Sequence, residues 1–329
     1  MNAEPLLSVR DLRVHFGAGK KLFGKAATIK AVDGVSFELR QGETLGIVGE
    51  SGCGKSTLGR AILRLLAPTG GTVVWLGQDM AGLRGEALRR ERRNMQVIFQ
   101  DPIASLDPRM TVGQAIGRPL ITFEPGLSGE ERRRRVHEMM EQVGLPRAWS
   151  GRYAHELSGG QCQRVGIARA MILRPKMVVC DEPVSALDVS IQAQIINLLM
   201  RLQREFGLSL LFISHNLSVV RHISNRVMVL YLGKIMEIAD RDDLYARPLH
   251  PYTKALISAV PIPDPRLERQ REKLLLTGDL PSPVNPPSGC RFRTRCPIAT
   301  PRCAAEEPAL TSFGNGHLVA CHYAGEGPA

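Results

Sequence analysis

Aromatic residues are scarce in this chain of 329 residues, making up only 5% of it. Single-stranded nucleic acid is usually held by stacking bases on aromatic faces, so the scarcity argues against such a platform. Long apolar runs are missing too. No uninterrupted stretch reaches the roughly 18 to 20 residues that a membrane-crossing helix needs. The opening Met1-Asn2-Ala3-Glu4-Pro5 lacks the pattern of a secretion signal. The expectation is a soluble globular protein that stays in the compartment where it is made. Internal repeats, low-complexity tracts and sustained heptads are also absent.

What is present is an ample hydrophobic fraction, 43%, on a chain long enough for one large domain and something smaller. The net charge of +11 implies an anionic partner: nucleotide, nucleic acid or the cytoplasmic face of a membrane. Arg132 to Arg135 form the densest basic run, but Val136, Met139, Met140 and Val143 follow at helical spacing. A solvated helix face accounts for them better than a nucleic-acid tract.

Short apolar runs alternate with amphipathic stretches, the pattern of parallel strands covered on both faces by helices. Thr44 to Val48, Met177 to Cys180 and Leu208 to Ile213 are such runs. Val73 to Gly77, and the pair Val227 to Tyr231 and Lys234 to Glu237 about Gly233, read as antiparallel strands. Between about 107 and 164 helical periodicity replaces strand signals and predicts an inserted helical subdomain. Past Pro248 the composition shifts, with Pro261, Pro263, Pro265, Pro281, Pro283, Pro286 and Pro287 breaking any long element.

Chemistry concentrates in Gly49-Glu50-Ser51-Gly52-Cys53-Gly54-Lys55-Ser56-Thr57, directly after the first apolar run. Glycines let the backbone approach a ligand closely, and successive N–H groups turned into one concavity favour negative charge. Lys55 would reach the outer phosphates of a nucleotide, and the Ser56 hydroxyl would take one position on Mg²⁺. Asp181, ending a strand, would deliver a carboxylate to that metal. Its neighbour Glu182 would activate water for attack on the terminal phosphate, which implies hydrolysis as well as binding. Ligands of open α/β sheets sit beyond the carboxyl ends of strands, so the Gly49 loop, the acidic pair and His215 are expected at one edge. Ser158, Gly159 and Gly160, opening a helix, would make a second anion site.

With Leu157-Ser158-Gly159-Gly160-Gln161 the chain resembles the nucleotide-binding subunits of ABC transporters. Gly49 to Thr57 is similar to the Walker A loop, Met177 to Glu182 to Walker B, and Leu157 to Gln161 to the signature motif. Gln100 resembles the Q-loop residue, Ser185 to Asp188 the D-loop, and His215 the switch histidine. The resemblance covers roughly Leu6 to Arg247. It implies an α/β fold of the ABC-type P-loop ATPase class: a mixed sheet core, an antiparallel β subdomain, the inserted helical subdomain and a small Cys-containing C-terminal extension. The nucleotide-binding domain would span 1–247 and the extension 248–329. It further implies that ATP is sandwiched between facing subunits, that Gln100 links the metal and attacking water to the helical subdomain, and that His215 contacts the terminal phosphate. Phe16 resembles the aromatic residue that stacks on adenine, although a long basic stretch with Lys20, Lys21, Lys25 and Lys30 separates it from the loop.

Asp188 to Gln194, His250-Pro251-Tyr252-Thr253 and Leu280 to Cys290 resemble the dipeptide and oligopeptide importer branch, and Gly49 to Leu63 its second ATPase subunit. That implies a peripheral protein at the cytoplasmic face of a bacterial inner membrane. Its partners would be a second ATPase subunit, different or identical, two integral membrane permease subunits, and an external solute-binding protein acting through them, with no nucleic acid. An importer of the same branch for nickel or another small solute, an exporter, and a soluble ABC ATPase acting on nucleic acid or ribosomes are the alternatives. Of the seven cysteines, Cys53, Cys162 and Cys180 read as small core fillers, while Cys290, Cys296, Cys303 and Cys321 crowd the Pro-rich extension. In a cytosolic protein this points to metal rather than disulfides. The spacing C-x5-C-x6-C-x17-C lacks zinc knuckles. Four thiolates suffice for a [4Fe–4S] cluster, with zinc or unligated thiols as the other possibilities. The extension is expected to have little core of its own.

Overall fold

The computed structural model describes residues 4–18, 27–261 and 278–325, and single residues 264, 266, 269, 274 and 276. Lys20, Lys21, Lys25, Pro263 and Pro265 lie outside the described residues. The chain divides into two bodies, one built chiefly on Leu39–Thr44 and Asp79–Ile213, the other on Leu6–Glu38, Leu45–Gln78 and Ser214–Ala329.

In the first body three strands run parallel in the order Met95–Ile98, Met177–Asp181, Ser209–Ile213, with Met95 opposite Met177 and Asp181 opposite Ile213. Every residue of the latter two strands is buried, as expected of parallel strands covered on both faces. The helix Val189–Phe206 buries Ile195, Ile196, Leu198, Leu199 and Leu202 along one stripe and stops where Gly207 turns left-handed at φ 62°. Between the first two strands lie helices Val112–Phe123 and Gly129–Gln142, two 3₁₀ turns, and the helix Gly159–Met171, which packs on Val112–Phe123 and on Met95–Ile98. Arg134 pairs with Glu131 and Glu138 of its own helix, so that part of the basic run is a salt-bridged helix face.

In the second body Leu7–Ala18 pairs antiparallel with Gly70–Trp75. Its buried residues switch from Leu7 and Val9 to Leu12 and Val14, out of strict alternation. The register shifts between Arg10 and Arg13, and Asp11 takes a φ of 47°, so one extra residue flips which side chains face inward. Leu45–Val48 lies parallel to Arg226–Val229. The chain then reverses and returns antiparallel as Lys234–Asp240, which pairs in turn with Leu318–Val319.

The extension departs from the expectation of little core. Tyr252, Phe292 and Val319 are fully buried. Phe292 packs at 5.3 Å from Tyr252 and 5.4 Å from Tyr231, edge-on to the latter. Glu237, also fully buried, accepts from the backbone N–H groups of Leu249 and His250 and from His317 Nε2 at 2.6 Å. An apolar run was the only signal of core available to sequence reading, and here the core is made of scattered aromatics and one satisfied carboxylate.

Candidate nucleotide site

The Gly49–Thr57 loop follows the strand Thr44–Val48 and opens the helix Lys55–Ile62. Two of its glycines are sterically required. A Cβ at Gly49 would lie 2.2 Å from Leu230 O, and one at Gly54, where φ is 106°, 2.0 Å from Ala31 O. The N-cap residue Gly54 offers the helix no side-chain cap, and a helix start of this kind favours an anion. Lys55 is 4% exposed, and its ammonium donates to Gly49 O at 2.8 Å and Glu50 O at 3.0 Å. That places a positive charge inside the turn. Ser56 and Thr57 are half-buried on the first helical turn, Ser51 and Gly52 are exposed at the tip, and Cys53 is buried behind it, where burial pushes its thiol pKa up. Ser214 donates its backbone N–H to Ile47 O, so His215, exposed, emerges beside the strand that feeds the loop. Phe16 is half-exposed near the end of Leu7–Ala18.

The other body carries the carboxylates. Asp181 is buried at the end of its strand, and Glu182 follows with φ 47°, a conformation a non-glycine residue holds only under constraint. Its N–H donates to Ile213 O, and its carbonyl accepts from Ser185. Gln100, just past Met95–Ile98, donates Nε2 to Glu182 Oε2 at 3.2 Å. Two residues far apart in sequence are thus joined.

Ser158 is the N-cap of Gly159–Met171, accepting from Gln161 N while its own N–H donates to Gln161 Oε1 at 2.8 Å. The signature motif therefore doubles as a capping box, which fixes how the helix begins. Ser158 stays exposed, and Gly160 fits closely, since a Cβ would meet Ile191 Cγ2 at 2.6 Å. Asp188 is exposed at the N-cap of Val189–Phe206 without capping it.

Residues 32–185 match the ABC transporter family, and residues 236–303 match the oligopeptide/dipeptide transporter C-terminal region. The chain is 59% identical over 319 residues to the oligopeptide transport ATP-binding protein OppF of Salmonella typhimurium, covering 96% of this chain and 95% of that one. The chain belongs to the ABC transporter ATP-binding proteins. The oligopeptide transport ATP-binding protein AppF of Bacillus subtilis is 54% identical, with 98% of each chain covered. A dimeric ATP-binding cassette solved in a post-hydrolysis state with ADP and Pi matches with a TM-score of 0.65 at 30% identity, covering 71% of this chain and 98% of its own. This ABC protein is accordingly an ATPase whose hydrolysis serves transport, with the mixed α/β fold of its family. No helix among the described residues is long and apolar enough to cross a membrane.

The four cysteines of the extension do not form a ready metal site. Among the described residues no group of three or more His, Cys, Asp or Glu side chains is arranged to hold a metal ion. Cys290 is buried, and burial together with the neighbouring Cys303, Cys321 and Cys296 thiols pushes its pKa up to about 11. Cys162 and Cys180 are buried, as small core fillers should be. Sequence reading passed over Arg295 and gave Tyr252 no role at the nucleotide loop. Arg295 Nη1 donates to both carboxylate oxygens of Glu50, at 3.0 and 2.8 Å, and Tyr252 Oη accepts from Glu50 N–H at 3.0 Å. No local motif marks either residue as a partner of that loop.

Proposed function

We propose that this ABC ATPase drives a bacterial importer for dipeptides or oligopeptides from the cytoplasmic face of the inner membrane. The observation that carries this is a match of nearly full length to oligopeptide transport ATP-binding proteins, including the transporter-specific C-terminal region. Its ATPase domain spans 1–247, with the helical subdomain at about 107–164, and 248–329 forms the extension. The loop amides and Lys55 bind the phosphates of ATP. Ser56, Asp181 and Gln100 would hold Mg²⁺, which would supply positive charge against the phosphates. Glu182, oriented by Gln100, takes the proton of the attacking water, and His215 contacts the terminal phosphate. Phe16 stacks on adenine. Ser158, Gly159, Gly160 and Gln161 close on the nucleotide held by a facing ATPase subunit, with Asp188 beside that interface. Opening and closing of this sandwich drives two permease subunits, which receive solute from a binding protein outside.

The decisive experiment is recovery of the tagged protein from detergent-solubilised membranes. The expected co-purifying proteins are two integral membrane subunits and a second ATPase, and the purified complex should hydrolyse ATP when peptide and binding protein are added. Ribosomes or DNA without membrane subunits would overturn the reading, and stimulation by a nickel chelate instead of peptide would reassign the cargo.

For Cys290, Cys296, Cys303 and Cys321 we infer a [4Fe–4S] cluster, with zinc or unligated thiols as the alternatives. The other three thiols all bear electrostatically on Cys290. A buried thiol pushed up to about 11 resists ionising alone, and cluster iron would supply the compensating positive charge. Anaerobic purification should yield iron and acid-labile sulfide in near-equal amounts. Zinc without iron would replace the cluster by the mononuclear alternative.

A further inference from the structure

Glu50 brings a carboxylate into the turn whose backbone carbonyls hold the ammonium of Lys55, and a carboxylate repels phosphate at short range. A bare carboxylate in a phosphate-binding turn opposes the binding of a triphosphate. The structure answers it from the extension. Arg295, with a side chain 10% exposed, spans both oxygens of Glu50 through one nitrogen, and the Glu50 carboxylate raises the guanidinium pKa although burial acts against it. Arg295 is itself fixed. Its N–H donates to Phe292 O at 3.0 Å, and the Phe292 ring is wedged against Tyr252 and Tyr231. Tyr252 holds the Glu50 backbone by its hydroxyl, so the same aromatic group anchors both ends of the ion pair.

We propose that Arg295 is a positioning residue for ATP binding: supplied by the C-terminal extension, it masks the Glu50 charge and sets the affinity of the loop for triphosphate. The inference rests on the reading of the loop as the ATP site. It gives the extension a part in nucleotide binding besides any part in assembly.

Equilibrium binding of a fluorescent ATP analogue to the full chain tests it, with kcat and KM measured on the assembled transporter. Arg295→Ala is expected to weaken binding about tenfold, the scale of a lost charge-assisted hydrogen bond. The loss should appear in KM, with kcat at saturating ATP little changed. Arg295→Lys should retain part of the affinity. Glu50→Gln removes the charge to be masked, so in that background Arg295→Ala should cost much less than tenfold. Added to Arg295→Ala, it should restore most of the lost affinity, which a purely structural Arg295 would not allow. Arg293→Ala, whose guanidinium bonds among the described residues to Ser288, should change nothing. Wild-type affinity in Arg295→Ala, or a double variant as weak as that single variant, would overturn the proposal. Should Arg295→Ala fail to fold, the comparison of Arg295→Gln with and without Glu50→Gln decides in the same way. An unaltered chain that binds no nucleotide would instead sink the ATP-site reading, and this inference with it.

Discussion

Lys55 spends its charge on two carbonyls of its own loop, so its removal both deletes the proposed phosphate ligand and frees the turn it ties together. Lys55→Ala is expected to weaken ATP binding by at least about tenfold, read by equilibrium titration. Glu182 should behave differently, because it meets Gln100 through its carboxylate rather than shaping the loop. Glu182→Gln is expected to bind ATP normally while turnover falls by about a hundredfold or more, the usual size of a general-base contribution. Unchanged turnover in phosphate-release assays would remove Glu182 as the base. Both residues were legible in sequence, since each stands at a fixed offset from an apolar strand. Arg295 was not, because 245 residues separate it from Glu50 and no spacing rule spans such an interval.

At the scale of single elements, capping chemistry decides where helices start. His250 caps Pro251–Ser258 by accepting from Tyr252 N–H at Nδ1, which requires a neutral ring with its proton on Nε2, toward the Ala320 carbonyl. Burial holds its pKa down to about 4, despite the opposing pull of Glu237. In the unfolded chain the ring titrates near 6.5. Stability from this group is therefore complete above about 6.5 and drains away as pH falls toward 4, because the unfolded state takes up the proton first. Glu237 extends the loss to lower pH. Burial alone would raise its pKa, but the hydrogen bonds from His317, Leu249 and His250 leave it lowered, so its contribution disappears on acidification through the carboxylate range. His250→Asn keeps a capping acceptor without the titration. Thermal or urea unfolding should show the unaltered protein losing roughly 2 kcal/mol more than this variant between about pH 6.5 and pH 5. Equal pH slopes would refute the assignment. The cap itself was invisible to sequence reading, which used His250-Pro251-Tyr252-Thr253 only as a mark of resemblance.

For the whole molecule the outward-facing signature helix sets the expectation. Ser158 and Asp188 are exposed, and in the proposed sandwich they face a second ATPase subunit. Glu182→Gln with ATP and Mg²⁺ should therefore form a stable dimer by size-exclusion chromatography with light scattering, with itself or only with a different ATPase subunit. A monomer in both mixtures would contradict the sandwich. The sequence by itself determined the chemistry of this protein: phosphate loop, acidic strand end, signature turn and the alternation of strands with helices. Each of these is local, specified by hydrogen bonding and side-chain periodicity within a few residues. Only the tertiary structure decided that the extension has an aromatic core, that a bulge at Asp11 reverses the facing of a strand, and that Arg295 answers the charge of Glu50. Those outcomes depend on packing between distant segments, where burial and charge compensation select the partner and sequence separation carries no information.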